Sequence, residues 1–189
     1  VVNPKNNTWT WLRSEEGPNL GLFKTRYDFL VNPRNQKTEK MVVLESPDAA
    51  NVVAITADQN MVFVKQYRFG TREETIELPG GIVDPGEEHG FAAQRELREE
   101  TGYGGKSWTY LGKVASNPVF QDSFIQHWMV TDAELLHVTQ QDDGEAVEAY
   151  LIPVEEVFQL WKKGYFQHPH TISGLLFYFS NHFLGWGNK

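Results

Sequence analysis

Cysteine is missing from all 189 residues. That excludes disulfides, thiolate metal sites and a cysteine nucleophile, and it suits a reducing compartment, so a cytoplasmic location is expected. Long apolar runs are missing as well: nowhere do about 18 apolar residues follow one another, and no membrane helix is expected. The N-terminal stretch, with Asn3, Lys5, Asn6, Asn7, Glu15 and Glu16, lacks the apolar centre of a secretory signal. Opening on Val1 in place of methionine points to a trimmed chain. Positive charge is scarce, with 17 Lys and Arg against 25 Asp and Glu. Nucleic-acid backbones are held chiefly by Lys and Arg, so no general affinity for them is expected; a small anion bridged by a metal remains compatible. No repeat or low-complexity linker interrupts the chain, which is long enough for one well-buried core with a small subdomain.

What the chain does have is a frame of glycine, glutamate and arginine between Gly81 and Tyr103. It reads Gly81, five residues, Glu87, seven residues, then Arg95-Glu96-Leu97-Arg98-Glu99-Glu100-Thr101-Gly102-Tyr103. At ordinary residue frequencies such a match arises by chance on the order of 10⁻⁷ times per chain. With about 3.6 residues per turn, Glu96, Glu99 and Glu100 fall within one arc of a single helix. Like charges at these spacings destabilise a helix, and no Lys or Arg on that arc is placed to neutralise all three. A hard divalent cation does so. Magnesium takes oxygen ligands and is commonly held by one or two carboxylates together with substrate phosphates.

Taken singly, acids on a helix ordinarily decorate a solvated face. The frame and its flanking loop single these out. Glu96 and Glu100, four apart, are the first metal ligands expected, and Glu99 belongs to a second position of a metal cluster. Arg95 is expected to orient a carboxylate, Glu87 or Glu99, through charge-assisted hydrogen bonds. Ahead of the helix, Leu78-Pro79-Gly80-Gly81-Ile82-Val83-Asp84-Pro85-Gly86-Glu87-Glu88 forms a turn-rich loop with acids at its end, whose glycines let the backbone approach an ion or phosphate, with the Gly80 carbonyl as a further ligand.

This frame resembles the signature of the Nudix hydrolases at every fixed position, with Tyr103 standing where an aliphatic residue is usual. The resemblance implies a metal-dependent enzyme, using Mg²⁺ with Mn²⁺ as a substitute, that cleaves a nucleoside diphosphate linked to another group. It implies an α/β/α sandwich with a mixed sheet. Over residues 40 to 160 the chain is similar to ADP-ribose pyrophosphatases and nucleotide-sugar hydrolases, through Asn51-Val52-Val53-Ala54-Ile55, Met61 to Arg68 and Thr75 to Gly81. Pro118, fifteen residues after Tyr103, stands near a proline of that branch, although Ser116-Asn117-Pro118-Val119 lacks the usual Pro-Gly. The implied reaction converts ADP-ribose to AMP and ribose 5-phosphate. Other GDP- or UDP-sugars, dinucleoside polyphosphates and capped RNA are alternative substrates, RNA being least favoured for want of a basic, aromatic-laced patch. A nucleotide-sensing module without turnover is the alternative outside enzymes, and it is disfavoured because no signature glutamate is eroded.

The same resemblance places a catalytic glutamate on the loop Gln141 to Glu148, with Glu145 aligned best and Glu148 its rival; Glu99 and Arg95 complete the catalytic set. Arg68 and Glu77 are assigned to the substrate pocket, the planar fork of Arg68 suiting phosphate oxygens, together with Pro118 and Tyr27. Residues 1-48 are expected to form a small antiparallel β extension that joins two subunits, and 49-189 the hydrolase domain. Among Trp9, Trp11, Phe23, Tyr27 and Phe29, a base-stacking platform competes with plain core packing.

Alternating or apolar runs read as strands at 22-31, 40-45, 51-56, 60-67, 74-78, 108-115, 123-130 and 147-153, and as helices at 88-101, 154-163 and 171-184. Pro169 is expected to separate the last two helices. His168 and His170 flank it and read as part of a surface turn, since a transition-metal site lacks a third ligand in reach.

Overall fold

The computed structural model describes residues 8–140 and 146–182. The chain divides into two compact units, Val1–Ser46 with Ala115–Ser123, and Pro47–Val114 with Phe124–Lys189.

Among the described residues, the first unit is an antiparallel sheet in the order β1 (Thr10–Asn19), β2 (Lys24–Val31) and β3 (Thr38–Glu45). β2 and β3 pair without interruption from Lys24 opposite Glu45 to Val31 opposite Thr38. β1 lies ahead of the first strand expected from the sequence, at 22-31. The register shifts between Trp11 and Arg13, at Leu12, and again between Glu16 and Asn19, where Gly17 and Pro18 are absorbed within the strand. Arg26 Nη1 lies 2.8 Å from both Glu45 and Asp122, and its Nε 3.1 Å from Asp28. These acids, Glu45 foremost, hold the guanidinium charged more firmly than usual. Through Asp122, and through Leu44 N–H to the Phe120 carbonyl at 2.7 Å, the 115–123 segment is tied to β2 and β3.

The second unit is built on a mixed sheet. At its centre β4 (Ala49–Thr56) runs parallel to β10 (Phe124–Leu135) and antiparallel to β5 (Asn60–Arg68) and β7 (Gly80–Ile82). β6 (Glu73–Glu77) and β11 (Glu148–Pro153) pair antiparallel with β5, while β8 (Tyr103–Gly104) and β9 (Ser107–Ala115) join β10. Val52 to Ile55 are all buried, as expected of a strand covered on both faces. Ala50, Val52 and Ala54 pack with Ala92, Ala93 and Leu97 of α1 (His89–Thr101). Val53, Ile55, Met61 and Phe63 pack with Val157 of α2 (Val154–Lys162) and with Leu175 and Phe179 of α3 (Pro169–His182). The period-two alternation of β4 thus makes the α/β/α sandwich expected from the sequence.

Pro169 does not lie between two helices; it opens α3, two residues ahead of the expected start. A first-turn proline loses no helical hydrogen bond and brings φ preset, which is why it starts this helix instead of preventing it. No helix among the described residues is long and apolar enough to cross a membrane.

Candidate active site

The glycine pair sits where two elements come too close for a side chain. β7 places Gly80 opposite Asn51 and Gly81 opposite Ala50. A Cβ on Gly80 would overlap the Ala50 carbonyl oxygen and the Asn51 backbone, and one on Gly81 would stand 2.5 Å from the Glu96 carboxylate. Glu96 of α1 is therefore pressed against bare backbone. Gly80 N–H donates to Glu100 Oε2 at 2.9 Å, and Glu100 is only 4% exposed.

Arg95 organises the rest of the ladder. Its Nη1 reaches Glu96 Oε1 at 2.8 Å and Glu99 Oε2 at 3.3 Å, while Nε and Nη2 bind the two oxygens of Glu87 at 3.1 and 2.9 Å. Nη2 also donates to the Ile82 carbonyl at 2.9 Å, joining helix to loop. The Arg95 hydrogen bonds hold Glu87 below the usual carboxylate range. Glu99 is bound on its other oxygen by Arg98 Nη2 at 2.8 Å. Arginine thus neutralises two of the three acids on the arc, and the third takes a backbone N–H.

α1 closes on Gly102, whose φ of 75° is the left-handed conformation glycine accepts and whose N–H returns to the Arg98 carbonyl. The Gly102 carbonyl then accepts N–H bonds from Leu136 and His137, both at 3.0 Å, and Gln140 N–H reaches the Glu99 carbonyl at 2.9 Å. The chain after β10 is clipped to the last turn of the acidic helix.

Among the described residues no three acidic or imidazole groups converge as a ready-made metal cage. The donor set is nevertheless the hard-oxygen kind that magnesium takes, and magnesium is commonly held by one or two carboxylates with substrate phosphates and water completing the shell. The Glu96 carboxylate faces the bare backbone of Gly81 on one side and Arg95 on another.

A second polar group stands at the end of β6. Arg68 Nε and Nη2 fork onto Glu77 Oε1 and Oε2 at 2.7 and 2.5 Å, and the Thr75 hydroxyl also donates to Glu77. Glu77 is 2% exposed. Burial disfavours its charge, yet the bonds from Arg68 and Thr75 hold it below the usual range. Glu77 in turn raises Arg68, with the charge of Glu100 adding to the effect.

His168 and His170 are not on a surface turn: both are half-buried, their rings meeting edge to face with centroids 4.9 Å apart. His168 Nδ1 lies 3.3 Å from Glu77 Oε2. The turn expectation fails because the start of α3 is drawn in by long-range bonds. Asn51 Nδ2 donates to the His170 carbonyl at 3.1 Å and Leu78 N–H to the Thr171 hydroxyl at 3.0 Å. His127, fully buried, completes the group, with Nδ1 2.6 Å from Asn51 Oδ1 and Nε2 3.0 Å from the Ser173 hydroxyl. Burial drives both His127 and His168 down to about 4. Nothing local in the sequence marks these histidines or Asn51, since their partners lie far along the chain.

Glu145 lies outside the described residues. Glu148 is on the exposed start of β11, in an ion pair with Lys65 at 3.1 Å. Tyr27 and Pro118 belong to the first unit, where Lys40 Nζ sits 3.8 Å from the centre of the Tyr27 ring and Pro118 occupies the turn closed by Phe120 N–H on the Asn117 carbonyl. A cavity of about 440 Å³ opens beside α1, lined by Phe91, Gln94, Arg98, Trp108 and His137 among others.

The NUDIX domain family matches residues 45–173. An ADP-ribose pyrophosphatase of Bacillus subtilis (strain 168) is 31% identical over 127 residues, 67% of this chain and 69% of that protein. The ADP compounds hydrolase NudE of Escherichia coli (strain K12) is 27% identical over 128 residues, 68% of each chain. A crystal structure of an ADP compounds hydrolase superposes with a TM-score of 0.82 at 23% identity, covering 99% of this chain and 100% of that one, and bears on the fold alone.

Proposed function

Because this chain belongs to the Nudix hydrolases, enzymes acting on pyrophosphate bonds, we propose that it is a Mg²⁺-dependent pyrophosphohydrolase of nucleoside diphosphate sugars, cleaving ADP-ribose to AMP and ribose 5-phosphate. The observation that carries this reading is the acidic ladder of α1, with Glu96 against Gly81 and Glu100 bonded to Gly80. The substrates named for the B. subtilis and E. coli relatives support the choice of an ADP compound.

In this reading Glu96, Glu99 and Glu100 hold Mg²⁺, or Mn²⁺ in its place, with the Gly80 carbonyl. When bound, the cation lowers the pKa of the attacking water and neutralises phosphate charge. The protein's own contribution is geometric. Arg95 fixes Glu96 and Glu99 in orientation and stiffens the loop through Ile82. Gly80 N–H does the same for Glu100. Arg68 keeps N–H groups beyond those spent on Glu77 and directs them to a phosphate oxygen. Water adds to one phosphorus, the bridging P–O bond breaks, its electron pair leaves with the departing phosphate, and the water's proton goes to an acidic side chain, proposed as Glu145.

The protein is proposed to act in the cytoplasm as a homodimer, a second copy covering the first unit's sheet, where Trp11 is 60% exposed. Release of AMP from ADP-ribose by the Glu100→Gln variant tests the metal assignment. Loss of Mg²⁺-dependent turnover with folding intact is expected, and undiminished turnover sinks the reading.

A further inference from the structure

Glu77 Oε2 lies 2.5 Å from Arg68 Nη2 and 3.3 Å from His168 Nδ1. With Glu77 ionised, a lone pair on His168 Nδ1 would be repelled at 3.3 Å, so that nitrogen carries the proton. A neutral ring with Nδ1–H has one remaining function: Nε2 is an acceptor. Among the described residues Nε2 has no hydrogen-bond partner, and 24% of the side chain stays accessible. Burial keeps this ring neutral through the physiological range, so it offers phosphate nothing. Phosphate oxygens only accept, and Arg68 beside it already supplies donors.

The neighbourhood is that of the acidic helix. Arg68 feels the charge of Glu100, and Glu100 is bonded to Gly80, three residues beyond Glu77. The His168 ring also meets that of His170 at a near-right angle, and the His170 backbone carbonyl is pinned by Asn51. An acceptor so placed, next to a cationic fork and acids suited to a diphosphate, fits a ligand group that donates. In a nucleoside diphosphate sugar the neutral donors of that kind are the hydroxyls.

We propose that His168 is a specificity-determining residue whose Nε2 accepts a hydrogen bond from a sugar hydroxyl of the substrate, with Glu77 holding the ring in the tautomer that makes this possible. This rests on the reading of the enzyme as a hydrolase of nucleoside diphosphate sugars. Removing an acceptor from a substrate hydroxyl selectively penalises substrates that carry it, by about 10- to 100-fold.

The test compares His168→Phe, His168→Ala and His168→Gln with the parent protein on ADP-ribose, its single-deoxy analogues and ADP, with Mg²⁺ present. Binding of a non-hydrolysable ADP-ribose analogue is measured beside kcat/KM. In the Phe and Ala variants ADP-ribose is expected to fall about 10- to 100-fold, to the level of one deoxy analogue, which itself loses nothing further. The affinity of the analogue falls by the same factor. Gln, whose amide donates to Glu77 and still offers an oxygen, restores most of the discrimination. An equal loss on every compound overturns the proposal, because it assigns His168 to the reacting water or to folding. Unchanged discrimination overturns it too. Parent protein that binds and cleaves none of these compounds overturns the proposal together with the functional reading, whereas a uniform loss in a parent-active background overturns the proposal alone.

Discussion

The two nitrogens Nε and Nη2 of Arg68 meet the two oxygens of Glu77 at 2.7 and 2.5 Å, and the carboxylate they hold is 2% exposed. A carboxylate in that setting is tolerable only because it is paired. Glu77→Gln leaves the guanidinium without its counter-charge, and Arg68 is itself partly open to solvent, so a loss of about 2 kcal/mol is expected. Urea unfolding at neutral pH checks it. Arg68→Lys, which keeps the charge and loses the fork, is expected to recover less than half of the difference from Arg68→Met.

Arg95 stands where a cation among the acids of α1 is needed. Replacing it with Met leaves Glu87, Glu96 and Glu99 to repel one another. The thermal midpoint of Arg95→Met is expected to drop in EDTA and to recover with millimolar Mg²⁺ more than the parent protein does, since a ligand bound only by the native state stabilises it by mass action. Equal Mg²⁺ responses in the two proteins contradict the assignment of these acids to metal.

Gly81→Ala puts a methyl 2.5 Å from the Glu96 carboxylate. Something must shift, and the end of a carboxylate side chain shifts more readily than backbone. The expected outcome is a small change in thermal midpoint with a loss of at least about tenfold in Mg²⁺ affinity or kcat/KM, because the displaced group is a proposed ligand.

Acid is expected to weaken the fold before the carboxylates titrate. His127 is lowered by burial from 6.5 to about 4 in the native state. Between those values the unfolded chain takes up a proton that the native imidazole refuses, so stability is full above pH 6.5 and falls as pH drops toward 4. Across the window the loss attributable to His127 is about 3 kcal/mol. His168 follows the same direction. Unfolding free energies at pH 7 and pH 5, compared between the parent and His127→Asn, give the size of the slope, which flattens in the variant.

The acidic helix was open to sequence reading because its geometry is local: Glu96, Glu99 and Glu100 share a face by helical spacing alone. Asn51, His127, His168 and Thr171 are the opposite case. Asn51 bonds to the His170 carbonyl across 119 positions and to His127 across 76. Only the pairing of β4 with β7 and β10, and the docking of α3 behind them, brings these residues together. His168 beside a proline was therefore read as a turn. Glu77 and Arg68, nine apart on one hairpin, fell between the two cases. The sequence assigns both to the substrate pocket but does not pair them: β5 and β6 set Arg68 opposite Glu73 and Glu77 opposite Val64, and the long guanidinium side chain reaches along the hairpin to Glu77.

The clip between α1 and the chain beyond β10 sets a rule for tolerated length. Leu136 and His137 hang on the Gly102 carbonyl and Gln140 on that of Glu99, so the path from β10 to Gln140 has a fixed count of residues. Adding or deleting one there would unhook the turn that carries Glu99 and Glu100. Natural variants of this protein should accordingly lengthen or shorten the connection only after Gln140, leaving the stretch before it constant in span however freely its side chains drift.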